Sequence, residues 1–396
     1  VHALRRHSLP LIALALAYGC ARDLSHAPTY YADVAPRIER SCLSCHAVGD
    51  GRPDLGSLDG ARMHAAEMLS AVEHGRMPPG GIDRSGSCRT FVGPAPFTSD
   101  DVEVLRSWLD AGMPEGTARP PPPDLNAPSA RFDRSLDLSL PLSPAVADEQ
   151  RCFLVESGLA AETHLVGVEV RGAGALHHAM IFALPAGSAA EARVMDEADD
   201  APGWSCPGTP LASSSLLFAW VPGSEVSAFP SSSGVRLQAG PLVVQLHQHG
   251  ASASPDAHIS LLLADAVEHE LTMLPVAATD FVLAAGAARV ALERSLLFSR
   301  ARDALVFGVM PHLHAAGRAV SLSVEGGACL VDAPRYDFAW QEMAFYDTPI
   351  ALAAGARLSL ACVWDTRDRS SNLQWGESSD DEMCTVFLFV TDQSSP

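Results

Sequence analysis

Leu242-Val243-Val244-Gln245-Leu246-His247 is an apolar run interrupted by one amide, opened by Gly240-Pro241 and closed at Gly250. β-Branched residues between turn formers fit an extended strand. Runs of the same kind recur at 165–170, 175–184, 216–221, 259–263, 304–309, 319–324, 357–363 and 385–390, each bounded by Gly, Pro, Ser or Asp. Short strands punctuated in this way predict β-sandwich or jelly-roll architecture. The span 133–396 is large for one sandwich, so the break at 264–270 is expected to divide it into two all-β domains, 133–266 and 267–396.

Upstream the pattern changes kind. Residues 58–74 carry Ala61, Ala65, Met68, Leu69 and Val72 at helical spacing and end at Gly75, after which Met77-Pro78-Pro79 bars continuation. A second helix is expected to open at Ser99 with Asp100 and Asp101 in its first turn, to bury Val102, Leu105, Trp108 and Leu109, and to stop at Gly112. Prolines at 120–123 and 128 favour polyproline II, so 119–132 reads as a semi-rigid linker. The expected order is therefore a small all-α domain over 28–118, the linker, and two all-β domains.

Composition narrows the classes of function. With 47% apolar and 19% charged residues among 396, the chain is neither disordered nor a coiled coil. Its 27 basic residues are all arginine and face 47 acidic ones, giving a formal charge of −20. That field repels polyanions, so nucleic acid is a poor partner. At the start, Arg5-Arg6, the apolar stretch 9–17 and Gly19-Cys20 read as an export signal over 1–20. A cysteine at the cleavage point resembles a bacterial lipoprotein signal, which implies acylation at Cys20 and a place in the periplasm or cell envelope, with membrane contact through the lipid alone. Plain cleavage nearby is the alternative.

Cys42-Leu43-Ser44-Cys45-His46 has the Cys-x-x-Cys-His spacing of covalent haem attachment. Two thiols one helical turn apart reach the two vinyl groups of a porphyrin, and the adjoining imidazole addresses the iron. A thioether as second axial ligand raises the reduction potential toward that of an electron carrier. Met77, set between a helix end and two prolines, is the candidate for it, with His74 as the alternative. The segment 28–118 thus resembles a small class I cytochrome c, which implies one haem c.

Six of the 15 histidines fall in three clusters: His177-His178, His247-x-His249 and His312-x-His314. On a strand, alternate side chains share a face, so His312 and His314 can address one ion. Adjacent His177 and His178 point to opposite faces unless a bulge or strand end intervenes. His249 shares a face with His247 and is the second choice there.

These clusters, their order and one further motif resemble the copper type II, ascorbate-dependent monooxygenases. Leu176-His177-His178-Ala179-Met180-Ile181-Phe182 is similar to that family's His-His pair, and Val244-Gln245-Leu246-His247 to the strand of its third histidine. His312-Leu313-His314 is similar to its His-x-His, and Ser378-Ser379-Asp380-Asp381-Glu382-Met383-Cys384 to its methionine segment. The resemblance implies two copper ions. His177, His178 and His247 would hold an electron-transfer copper with Gln245 beside it, and His312, His314 and Met383 an oxygen-activating one. Disulfides Cys152 to Cys206 and Cys362 to Cys384 are implied as well, leaving Cys88 and Cys329 to pair across domains or stay free.

The activity implied is hydroxylation of a C–H bond of a small molecule by dioxygen, with electrons from the fused haem, from ascorbate or from a redox-partner protein. Where the peptide-amidating members anchor a substrate carboxylate, this chain has Met310, Thr385 and Phe387, so glycine-extended peptides are not the expected substrate. The alternative function is haem and copper electron transfer, or copper handling, without hydroxylation.

Overall fold

The computed structural model describes residues 27–46, 53–77, 81–92, 97–118, 134–143, 148–171, 176–185, 187–221, 226–249, 255–338, 340–376 and 381–392. The export signal with Cys20, the 119–132 linker, Pro78-Pro79 and Ser378 to Asp380 lie outside the described residues, as do the side chains of Cys45, His177 and His249.

All nine strands expected from the apolar runs are present, and strands that are less apolar complete the sheets. One sheet takes, in spatial order, Trp204–Ser205, Asp148–Glu156, Pro241–His249, Leu176–Ala183 and Ser215–Trp220. Another takes Val290–Leu297, Arg357–Trp364, Gly317–Val324 and Cys329–Ala333. Between them runs a nine-stranded sheet that belongs to both halves. Its strand His269–Ala277 pairs in parallel with Ser233–Leu237 and antiparallel with Thr385–Asp392.

At the expected division, 264–270, the chain turns, and the hydrogen-bonded sheet continues from one half into the other. The physical reason lies in the run Thr385 to Val390. Phe389 packs in the core of the first half while Val386, Leu388 and Val390 pack in the core of the second, so both faces of this strand are buried. Strands covered on both faces read as continuous apolar runs, as this one does. A helix, Ala189–Ala198, also lies in the half expected to be all strand.

The helices 30–110 have a core of their own, centred on Ile38, Leu105 and Trp108. The 58–74 helix is interrupted at His64, giving Leu58–Met63 and Ala65–Glu73. The later helix is Ser99–Asp110, and it buries Val104 where Val102 was expected. Thr98 closes its first turn reciprocally with Asp101. Asp101 also pairs with Arg37 and Arg40 at 2.8 and 2.7 Å. Burial alone would raise the Asp101 carboxyl, but Thr98 and the two guanidiniums outweigh it and hold the pKa below the usual range. Thr98→Ala is expected to lower the stability of this segment by about 1 kcal/mol in denaturant titration. Gly75 and Gly112 end the helices with φ of 64° and 79°.

These helices do not form a clearly separate all-α domain, which corrects the expectation for 28–118. Residues 81–92 leave them and lie along the C-terminal half, where Asp83 N–H donates to Asp332 C=O at 2.7 Å and Val92 N–H to Phe345 C=O at 2.8 Å. Arg84 pairs with Glu342 at 3.0 Å, Phe91 stacks on Tyr346, and a disulfide joins Cys88 to Cys329. The protein is mostly β-sheet with scattered helices. Among the described residues no helix is long and apolar enough to cross a membrane.

Candidate metal centres

His312 ends its strand opposite Thr385 in antiparallel register. Beyond that pair both chains leave the sheet, and continuing the register by two residues brings position 314 alongside position 383. The contacts agree. His314 N–H donates to Glu382 Oε2 at 3.0 Å, and His314 Nδ1 bonds the Asp381 carbonyl at 3.0 Å. The rings of His312 and His314 lie 5.3 Å apart and nearly perpendicular. His312 Nδ1 bonds Gln341 Oε1 at 2.5 Å, and the Gln341 amide is itself fixed on Phe338 C=O. An oxygen acceptor on each Nδ1 makes that nitrogen the protonated one and leaves Nε2 with its lone pair, the form in which imidazole ligates a metal. Tyr336 holds the residue between the two, its hydroxyl donating to Leu313 C=O and accepting from Leu313 N–H.

Burial, and then the neighbouring His314, pull the His312 pKa from 6.5 down to about 4, against the Gln341 bond that raises it. A native value below the unfolded one means that the unfolded chain takes up the proton first. The contribution of His312 to the stability of metal-free protein is therefore complete above pH 6.5 and is lost as pH falls toward 4. Denaturant midpoints measured across that window should fall on acidification and hold steady above it.

Sequence reasoning passed over Glu382. It is completely buried, and its carboxylate accepts from the N–H groups of His314, Ala316 and Met383 and from Trp364 Nε1. Burial pushes its pKa up, against those donors.

The second pair lies on the other sheet. His178 and His247 are cross-strand neighbours, both buried, with ring centroids 4.7 Å apart and Nδ1 atoms 3.4 Å apart. The register slips between Leu176 and His178, so residue 177 is the extra one, at the position where adjacent histidines need an irregularity to converge. Gln245 sits two residues before His247, and its amide nitrogen donates to Cys206 C=O and Gly208 C=O at 2.7 and 2.6 Å. Cys206 is bonded to Cys152, and Cys362 to Cys384 beside Met383. Among the described residues no three His, Cys, Asp or Glu side chains converge in one group. Among the described side chains each cluster presents two imidazoles.

In the helical segment, His46 ends the short helix Leu43–His46, and its Nδ1 bonds Pro53 C=O at 3.0 Å. Met77 is exposed beyond the end of helix Ala65–Glu73, and His74 Nδ1 bonds Ser70 C=O. Arg335, three residues before Phe338, donates to Gly75 C=O at 2.6 Å, which ties this helix end to the segment packed on His314.

Residues 282–394 match the family model of the copper type II ascorbate-dependent monooxygenase C-terminal domain, and this chain carries such a domain. The match takes in His312, His314 and Met383. Over 321 residues, 76% of the chain, it is 23% identical to peptidyl-glycine alpha-amidating monooxygenase A of Xenopus laevis. Over 324 residues it is 24% identical to peptidyl-glycine alpha-amidating monooxygenase of Mus musculus, again covering 76% of the chain. The matched regions span 32% and 30% of those two proteins. Among solved structures, the major capsid protein P2 of bacteriophage PM2 aligns with 66% of this chain and 98% of its own, at 9% identity and a TM-score of 0.25, too low to argue from.

Proposed function

We propose that this protein is a copper-dependent monooxygenase that places one atom of dioxygen into a C–H bond of a small molecule, at a carbon next to a heteroatom or ring. One observation carries the reading. Within the span that matches the monooxygenase domain, two imidazoles with fixed Nδ1 atoms stand against the backbone of the Met383 segment.

Two neutral imidazoles and a thioether form a donor set suited to copper(I), so His312, His314 and Met383 are assigned the oxygen-activating centre. His177, His178 and His247 are assigned the electron-transfer centre, with Gln245 supporting its strand. Copper, when bound, supplies one-electron redox chemistry and activation of dioxygen. The protein's own part is to keep His312 neutral, to aim both rings through Gln341 and the Asp381 carbonyl, and to shield them with Phe338 and Phe387, each ring 6.0 Å from an imidazole.

Hydroxylation consumes two external electrons. We assign their supply to haem c attached at Cys42 and Cys45, with His46 and Met77 as axial ligands, or to ascorbate. A haem on the same chain as its acceptor acts at the mM effective concentration of a short tether. In this reading the chain is exported, and Cys20 is its lipid anchor. The acidic surface admits a cationic substrate such as an amine.

The test is incorporation of labelled oxygen from dioxygen into a panel of arylalkylamines, using copper-loaded protein and ascorbate. Labelled alcohol with matching oxygen uptake supports the reading. Copper and haem that exchange electrons, without oxygen uptake on any amine, favour the electron-transfer alternative.

A further inference from the structure

We propose that Glu382 is a positioning residue that sets Met383 against the His312 and His314 imidazoles, a role that deepens the copper reading and rests on it. The two strands carrying these ligands stop pairing at His312 and Thr385, so the N–H groups just beyond have no ladder partners. Glu382 supplies acceptors in their place. Its Oε1 takes Ala316 N–H at 2.7 Å, and its Oε2 takes His314 N–H at 3.0 Å, Met383 N–H at 3.2 Å and Trp364 Nε1–H at 3.0 Å. One carboxylate thus spans both sides of the centre, the loop after His-x-His and the segment bearing the thioether.

The main chain of Glu382 is fixed too. Its N–H donates to Gln374 C=O at 3.0 Å, and its C=O accepts from Gly376 N–H at 3.3 Å. On the other side, Cys384 is bonded to Cys362 and fully buried. Met383 therefore lies between two anchored neighbours, while its own side chain is only half-buried. Without the carboxylate, nothing else among these contacts bridges the His314 N–H to the Met383 N–H. A glutamine with its oxygen at the Oε2 position would keep the His314, Met383 and Trp364 donors and turn its NH₂ only toward Ala316 N–H, whereas a leucine offers no acceptor, so Glu382→Leu is the variant that removes the bridge.

The experiment loads wild type and Glu382→Leu with Cu(I) and reads X-ray absorption for sulfur among the copper neighbours, together with Cu(I) affinity at each centre. Wild type is expected to show sulfur. Glu382→Leu is expected to lose it and to bind Cu(I) about 10- to 100-fold more weakly at this centre, with the His178 and His247 centre unchanged as internal control. Sulfur scattering and affinity equal to wild type in Glu382→Leu would overturn the role while leaving the copper reading intact. Absence of sulfur from wild type would overturn both. Should Glu382→Leu fail to fold, Trp364→Phe removes one donor from Oε2 and keeps an aromatic ring in the core. It is expected to weaken Cu(I) at this centre alone by about 10-fold, and affinity equal to wild type there would overturn the role.

Discussion

If the proposed copper reading holds, Met383→Ile is expected to abolish substrate-dependent oxygen uptake while copper assigned to the His178 and His247 cluster stays bound. Removing a partner of a metal ligand commonly lowers affinity or activity 10- to 100-fold, so removing a ligand outright should exceed about 100-fold in turnover. The fold should tolerate the change. Met383 is only half-buried, and exchanges between apolar residues of similar volume usually cost less than about 1.5 kcal/mol. The Cys362 to Cys384 disulfide and the Glu382 bonds remain to hold the segment. An oxygen electrode and metal content on the same preparation check both halves of the expectation. Turnover within a few-fold of wild type would remove Met383 from the chemistry.

The second large effect concerns the strap over residues 81–92. Cys88 and Cys329 are 241 residues apart in sequence, so their bond closes a very long loop. Constraining the unfolded chain in this way is typically worth about 2 to 4 kcal/mol. The Cys88→Ser, Cys329→Ser double variant is expected to lose about that much in denaturant unfolding of the C-terminal half. Loss of the bond should also loosen the strap, leaving the Arg84 to Glu342 pair and the Phe91 to Tyr346 stack to hold it. Hydrogen exchange at Asp83 and Val92, whose N–H groups bond Asp332 and Phe345, should accelerate. A variant as stable as wild type to within about 0.5 kcal/mol would show that the strap is held by those contacts alone.

The features legible in sequence were those with a local signature. Apolar runs located strands because burial requires them, and Gly75 and Gly112 marked helix ends because a positive φ suits glycine. The irregularity at residue 177 followed from two adjacent histidines and the period of a strand. What escaped was long-range. Nothing near residue 268 announces that the sheet passes from one half to the other, since pairing partners such as Ser233 and His269 are chosen by tertiary packing. Cys88 and Cys329 carried no partner in their spacing. Val104 and Val102 differ by two positions on one helix, and which is buried depends on the neighbouring helices. Glu382 was hidden by its context, because an acid following Asp380 and Asp381 looks like a solvated charge. The available signal was its place directly before Met383 and Cys384, where a solvated side chain would have to leave a segment otherwise committed to the core.

Copper and zinc content per chain in purified protein bears most directly on the claim that two separate imidazole clusters each hold one redox ion. The expected values are two copper in wild type, one in the His312→Ala, His314→Ala variant and one in the His178→Ala, His247→Ala variant, with zinc absent in copper-loaded samples. Zinc in place of copper, or wild type and both variants binding the same amount of copper, would contradict it.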